Sequence, residues 1–307
     1  MEMKSTTFRL NPAHSDSAKE ETGGKRQRYC TDSDTESVVV ELATTVEDLN
    51  AAYRLVYERY LVEGYQEPAP GKIRFVAHCC LPESYTFVAR LRGEIIATLT
   101  LIQDRDFGLP LEREYHREIR ALRFQGRKIA EVSCLATREG VDRRVVLELI
   151  RTMYLFARYR VGVTDWVIAI NPKQCGFYAK GLLFESLGGQ RTYSACEGAP
   201  AVALITDITD WEERMRQEHG NGLLGRFFSR DGKTAATSRI PSPPGREQLA
   251  ERLEFAERIM AKRGTDTAIR ARIRAAYVNP ARVQSTDSAY PKNLPLPTTR
   301  FGRYHIA

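Results

Sequence analysis

"KIAEVSCLATRE", residues 128–139, decides the fold. Ile129 to Leu135 reads as a buried strand, yet it carries a carboxylate, Glu131, and two residues on a hydroxyl, Ser133. Side chains alternate along a strand. On that alternation Ala130, Val132, Cys134 and Ala136 share one small apolar face, and Ile129, Glu131, Ser133 and Leu135 share the other. A carboxylate on such a strand needs either a partner or a task.

On the N-terminal side, "PLEREYHREIRALRFQGR" sets Tyr115, Ile119 and Leu122 on one helical face, with Gly126 as the stop. Before it, "YTFVARLRGEIIATLTLIQD" (85–104) predicts two strands around the turn Arg92-Gly93. Earlier still, "SVVVELAT" (37–44) predicts a strand, and Thr45 with Asp48 caps a helix whose buried face is Leu49, Ala52, Tyr53, Val56 and Tyr60. On the C-terminal side, the loop "TREGVDRR" opens the strongly periodic helix "VVLELIRTMYLFARYRVG". "WVIAINP" is a short buried strand, "KQCGFYAKGLLFE" a short helix, and "GGQRTYSACEGAPAVALITDI" a final pair of strands. Strands outnumber helices, and hairpins mix with crossovers. The expected class is α/β (α+β), a mixed sheet flanked by helices.

The chain has 307 residues, 42% hydrophobic and 28% charged, enough for one domain of ordinary size with extensions. Its opening residues hold no apolar h-region, and no run approaches the roughly 18 apolar residues of a membrane span. Six cysteines without C-x-x-C spacing read as free thiols in a reducing cytoplasm. Five scattered histidines give no metal-ligand spacing, so no metal is expected. Residues 212–307 carry 18 Lys and Arg against 10 Asp and Glu, and the remainder 28 against 29, so the tail holds the basic excess. The expected organisation is a disordered segment 1–36, a catalytic domain 37–211, a linker 212–244, a basic amphipathic helical extension 245–282 and an extended tail 283–307.

Five segments together carry a resemblance: "AAYRLVYERYLVEGY" (51–65), "GEIIATLTLI" (93–102), "LPLEREYHREIRALRFQGRKIAEVSCLA" (109–136), "INPKQCGFYAKGLLFESLG" (170–188) and "APAVAL" (199–204). The element order looks like the acyltransferase fold of the GNAT superfamily. The segments resemble the N-acyl amino acid synthases, relatives of the acyl-homoserine-lactone (autoinducer) synthases. The resemblance implies a GNAT-like sheet that splays beside its fourth strand. It also implies transfer of a fatty acyl group from acyl carrier protein to the amine of an amino acid, with no permanently bound cofactor and acyl-phosphopantetheine as donor.

On this reading Glu131 is the base that frees the amine, and Ser133 binds the acceptor or orients a water. Alternatively Glu131 pairs with a basic residue near a sheet edge. Tyr178 stands where many GNAT enzymes place a tyrosine that protonates the leaving thiolate; otherwise it packs the short helix on the sheet. The strand backbone at Leu135, Ala136 and Thr137 is expected to hold the pantetheine arm, and Arg138, Gly140, Arg143 and Arg144 its phosphate. Only one glycine stands in that loop, which favours a single-phosphate carrier-protein donor over coenzyme A. Arg54, Tyr57, Phe87, Leu99, Leu101 and Phe107 are the expected acyl and acceptor pocket, and Arg90, Arg120 or Arg123 would meet the acceptor carboxylate. Cys134, with His116 or His78 as base, could be a nucleophile, but alternation turns it away from Glu131.

Three departures stand out. Autoinducer synthases carry arginine where Cys134 stands and aspartates where this chain reads "QEPAPGKIRF". Many N-acyl amino acid synthases carry histidine where Gln174 stands. Arg270, Arg272 and Arg274 in the basic extension are expected to steer an acidic carrier protein. The rival is a peripheral contact of that amphipathic helix with anionic membrane. No nucleic-acid module accompanies the charge. Alternative activities are a coenzyme A-dependent N-acetyltransferase and a catalytically idle carrier-docking module.

Overall fold

The computed structural model describes residues 38–229 and 240–278. Seven strands form one sheet in the order β1-β2-β3-β4-β5-β7-β6: β1 (Val39–Leu42), β2 (Ser84–Leu91), β3 (Glu94–Gln103), β4 (Ile129–Thr137), β5 (Asp165–Ile170), β6 (Glu185–Tyr193) and β7 (Ala199–Asp207). The hairpin β2–β3 turns at Arg92-Gly93, both at positive φ (53° and 78°), the geometry whose twist matches the flanking strands. Every neighbouring pair is antiparallel except β4 and β5.

Helix α1 (Val46–Val62) begins where the Thr45 hydroxyl accepts the Asp48 N–H at 3.2 Å. It buries Leu49, Ala52, Tyr53, Leu55, Val56 and Tyr57 against one face of the sheet, beside α2 (Glu112–Phe124) with Tyr115, Ile119 and Leu122. Helix α3 (Arg143–Phe156) covers the other face through residues such as Leu149 and Met153. Gly126, at φ +71°, follows α2 as expected.

Beside β7, residues 212–229 are not linker. Helices α4 (Trp211–His219) and α5 (Leu223–Ser229) pack on the body. Trp211 and Met215 are fully buried, Trp211 meets Tyr154, Trp166 and Phe228, and its Nε1 donates to the Leu182 carbonyl at 3.0 Å. Met215, Phe227 and Phe228 bury with Trp211, and that shared apolar burial, with the helical hydrogen bonds, offsets the entropy of ordering the segment. The expected segments 1–36 and 283–307 lie outside the described residues, as do 230–239. Among the described residues no helix is long and apolar enough to cross a membrane.

Within the span read as an extension, helices α6 (Arg246–Lys262) and α7 (Thr267–Val278) turn their apolar faces inward; residues 279–282 of that span lie outside the described residues. Phe255 stacks on Tyr53 of α1 at 6.3 Å, and Ala256, Met260 and Ile273 bury against the 3-10 turn Ala77–Cys80. That occupancy removes the apolar stripe a membrane contact would need. Two of the three arginines expected to steer a carrier are also engaged: Arg274 pairs with Glu257 (2.8 Å), and Arg272 lies over Phe107 (4.4 Å) and donates to the Asp106 carbonyl (3.3 Å).

Candidate active site

Two features of β4 build the site. Its parallel pairing with β5 covers three residue pairs, Ile129↔Asp165, Ala130↔Trp166 and Glu131↔Val167, and the strands then part. The paired end is clamped by Arg127, whose guanidinium meets Asp165 (Nε to Oδ2, 2.6 Å) and Asp207 (2.6 Å). The second feature is a bulge. Thr100 pairs with Ser133 but Thr98 with Ala136, so β4 holds one extra residue, and Cys134 sits at φ +56°.

The bulge breaks the alternation that the sequence suggests. Ile129 and Glu131 face α1 and α2, and past the bulge so do Cys134 and Ala136, whereas Leu135 joins Ala130 and Val132 on the α3 side. The expectation that Cys134 points away from Glu131 is therefore overturned, and so is the placing of Leu135 beside Glu131. A simple period of two cannot survive an inserted residue.

Where the strands part, a cavity of about 830 Å³ opens, lined by Val132–Thr137 of β4 and Ile168–Ile170 of β5. Of the expected residues, Ser133, Leu135, Ala136, Thr137, Arg143, Tyr178 and Leu99 line it, as does Gln174. Tyr178 lies on the π-helical turn Phe177–Gly181, edge-on to Phe184 at 5.8 Å, and burial pushes its phenol up to about 12. It therefore holds its proton at neutral pH.

Glu131 is 1% exposed and stands behind the wall rather than in it. Its Oε2 accepts the Leu111 N–H at 2.8 Å, and the Tyr193 hydroxyl donates to its Oε1 at 3.5 Å. Burial pushes the carboxyl up to about 8, against the smaller opposing effect of the Leu111 N–H. Tyr193 does line the cavity, so Glu131 reaches it through that phenol.

Other expected residues lie elsewhere. Arg138 pairs with Glu94 (2.9 Å) and donates to the Ile95 carbonyl (3.1 Å). Gly140 and Arg144 stay out of the wall. Arg144 is held by Asp142, whose carboxylate caps α3 through the Arg144 N–H at 2.7 Å. Arg54 is exposed, and Tyr57 is buried and accepts the Ala69 N–H at 3.1 Å. Phe87 and Leu101 are sheet core, and Phe107 packs on His78 beneath Arg272. Arg90 pairs with Glu41 and Asp48, Arg123 with Asp104 and Glu112, and Arg120 is exposed on α2. None of these arginines lines the cavity, nor does either histidine considered as base to Cys134. Each follows a strong local pattern, and local pattern does not say which wall faces a cavity.

The sequence reading missed Arg59, Tyr60, Lys173 and Lys180, which stand in the wall, and Tyr193. It also missed Arg74, 8% exposed, whose guanidinium lies 4.5 Å from the Tyr60 ring centroid. A buried arginine in "GKIRF" has no periodic signal; only its single charge between Ile73 and Phe75 marks it. Among the described residues no group of three or more His, Cys, Asp or Glu could hold a metal ion.

The family description "N-acyl amino acid synthase FeeM" matches residues 51–207. The solved structure of FeeM, an N-acyl amino acid synthase from uncultured soil microbes, is 26% identical with a TM-score of 0.54, over 63% of this chain and 99% of that one. The acyl-homoserine-lactone synthases LasI (14% identical, TM-score 0.45, 61% of this chain and 98% of that one) and BjaI (16%, 0.45, 71% and 98%) are more distant. BjaI is coenzyme A-dependent and was solved with SAM and isopentyl-CoA. No curated protein matches the chain.

Proposed function

This chain belongs to the FeeM family of N-acyl amino acid synthases, acyltransferases of GNAT-like fold, and on that premise we propose that it passes a fatty acyl group from acyl carrier protein to the amine of an amino acid. The observation that carries this reading is the parting of β4 from β5 just beyond Glu131, which opens an apolar slot beside a carboxyl of raised pKa.

An amino acid arrives mostly as ammonium, and only its free base attacks a thioester. A carboxyl that titrates near 8 is matched to that proton, because general bases work best close to the operating pH. The proton leaves the amine for the Tyr193 oxygen while the Tyr193 proton moves to Glu131, so a buried base serves the cavity without lining it. Tyr178, protonated and in the wall, gives its proton to the departing thiolate. The volume falls within the roughly 300–1,000 Å³ usual for ligand sites, in keeping with a long acyl chain. A carrier-protein donor is supported by Asp142, whose carboxylate occupies the α3 N-terminus where a pyrophosphate would otherwise find free N–H groups. Arg143, Lys173 and Lys180 remain to meet a single phosphate.

The test incubates the chain with palmitoyl acyl carrier protein and a pool of the standard amino acids, with mass spectrometry for N-acyl products. One dominant N-palmitoyl amino acid is expected, its rate cut by about 100-fold or more in Glu131→Gln and by at least tenfold in Tyr193→Phe. Turnover of acyl-coenzyme A alone, or acylation of amines other than amino acids, would reject the reading.

A further inference from the structure

The proposed transfer employs two phenols of the cavity wall and leaves a third, Tyr60, without a task. Tyr178 serves the leaving sulfur and Tyr193 the nitrogen. Neither serves the carbonyl oxygen, which takes up negative charge as the amine adds. Tyr60 comes from the last turn of α1, and its ring is fixed on two sides. The Arg74 guanidinium lies 4.5 Å from the ring centroid, and Tyr65 meets the ring edge-on at 5.8 Å and 81°. The Tyr60 hydroxyl has no hydrogen-bond partner among the described residues. It is also not among the buried side-chain atoms left unpaired, so it opens into the cavity that the residue lines. Burial pushes the phenol well above its ordinary range, with Cys134, Cys196 and Tyr178 adding to the effect and Arg74 opposing it. Tyr60 therefore holds its proton at neutral pH. Burial also raises Tyr193, and Tyr60 is among the neighbours that add to that shift. Tyr60 thus stands close to both of the phenols already employed.

Arg74 makes this position electropositive. It is 8% exposed, and every acceptor its guanidinium reaches among the described residues is neutral. Nη1 donates to the Tyr65 carbonyl (3.2 Å) and Gln66 Oε1 (3.1 Å), and Nη2 to the Ala195 carbonyl and Cys196 Sγ (3.8 Å). Cys196 is neutral because burial pushes its thiol up to about 11. A guanidinium cannot shed its charge. Held against the ring with no carboxylate to offset it, that charge makes the phenol a stronger donor and favours an anion in the cavity beside it. The same bonds tie Arg74 to Tyr65 and Cys196, two further wall residues, so the ring is set in place before substrate arrives. A donor fixed in advance loses nothing to reorganisation when charge develops.

We propose that Tyr60 donates to the carbonyl oxygen as that oxygen becomes an oxyanion, with Arg74 as its positioning residue; this rests on the acyl-transfer reading above. The amine attacks the thioester carbon, the carbon–nitrogen bond forms, and the carbonyl π pair moves onto oxygen, where the Tyr60 hydroxyl meets it. Tyr60 keeps its proton throughout. The pair then returns, the carbon–sulfur bond breaks, and the thiolate takes the Tyr178 proton. The nitrogen's proton passes through Tyr193 to Glu131, and solvent returns one proton from Glu131 to Tyr178. An acceptor carboxylate is the other anion the cavity would hold. It lies beyond the nitrogen and away from the sulfur, whereas the carbonyl carbon is bonded to both, as Tyr60 is close to both phenols.

Tyr60→Phe in the full chain tests this cleanly, because it removes only a hydroxyl that bonds nothing among the described residues; its thermal midpoint should match wild type. With palmitoyl acyl carrier protein and the preferred amino acid, kcat should fall by about 100-fold or more while both KM values stay within about threefold. Two pantetheine analogues give a second readout: a difluoroketone, whose hydrated carbonyl mimics the tetrahedral species, and a hexadecyl thioether, which has no carbonyl. Tyr60→Phe should weaken binding of the difluoroketone by about tenfold or more and of the thioether by less than about threefold. Arg74→Met should lower kcat by about tenfold or more when Tyr60 is present and by less than about threefold in the Tyr60→Phe background; equal losses in the two would overturn the part given to Arg74. A kcat within about threefold of wild type in Tyr60→Phe would overturn the proposal, as would a loss confined to the amino-acid KM or equal weakening of both analogues; in each case the acyl-transfer reading stands. A wild-type chain that acylates no amino acid would reject that reading instead, and the analogue pair would still decide on Tyr60.

Discussion

Glu131 carries a proton that an exposed carboxyl would have lost. Its ordinary value is 4.5, and in the fold burial raises it to about 8. Folding therefore takes up a proton between those values. The stability this gives is complete below about 4.5 and is lost as pH rises through about 8. Thermal unfolding followed from pH 5 to 9 should show the wild-type midpoint falling with pH, and Glu131→Gln falling less. Equal slopes would mean that Glu131 ionises normally in the fold. In the activity profile, kcat/KM should rise with pH to a half-maximum near 8, because the base works only when ionised. At this scale the sequence was informative about chemistry and poor about placement. Glu131 and Ser133 were visible as polar groups on an apolar strand. Tyr193 and Arg74 were not, because each reaches the site across a sequence gap that no local pattern spans.

At the scale of the element, β4 was legible in extent and misread in phase. Thr45, the Arg92-Gly93 turn and Gly126 each act through their immediate neighbours, so they could be read directly. A bulge with glycine in the left-handed position has a recognisable signature; one with cysteine there has none. The start of α3 offers a direct test. Asp142 caps it, so Asp142→Ala should destabilise the chain by about 1 kcal/mol in urea unfolding. It should also improve use of palmitoyl-coenzyme A relative to palmitoyl carrier protein, since the carboxylate no longer repels a pyrophosphate. A kcat/KM ratio between the two donors that does not move would mean that the cap has no part in donor choice.

Across the whole molecule, the family match ends at residue 207, yet the structure continues. Residues 246–278 form two helices, and their charge does not tell where the apolar side goes. Basic composition suggested an outward face, while Phe255, Met260 and Ile273 fix an inward one. Arg252, buried, donates to the Cys79 carbonyl at 2.6 Å, and Tyr277 donates to the Cys80 carbonyl at 2.6 Å. Both helices thus hold the turn whose Cys79 thiol faces Cys134. A chain ending at residue 239 should unfold at a lower temperature and react with a maleimide at Cys80, which is buried in the full chain. Unchanged melting and a silent Cys80 would show that the extension is dispensable.

That clasp has a consequence for biosynthesis. A polypeptide leaves the ribosome N-terminus first and folds as it emerges. The sheet and its cavity can assemble while α6 and α7 are still being made, with the Cys79 and Cys80 carbonyls covered by nothing from the tail. Helices α6 and α7 are translated after the sheet, and they close over the turn behind Cys134. A nascent chain stopped before residue 246 therefore carries the sheet and its cavity with that turn uncovered, and both carbonyls gain their partners only when α6 and α7 emerge.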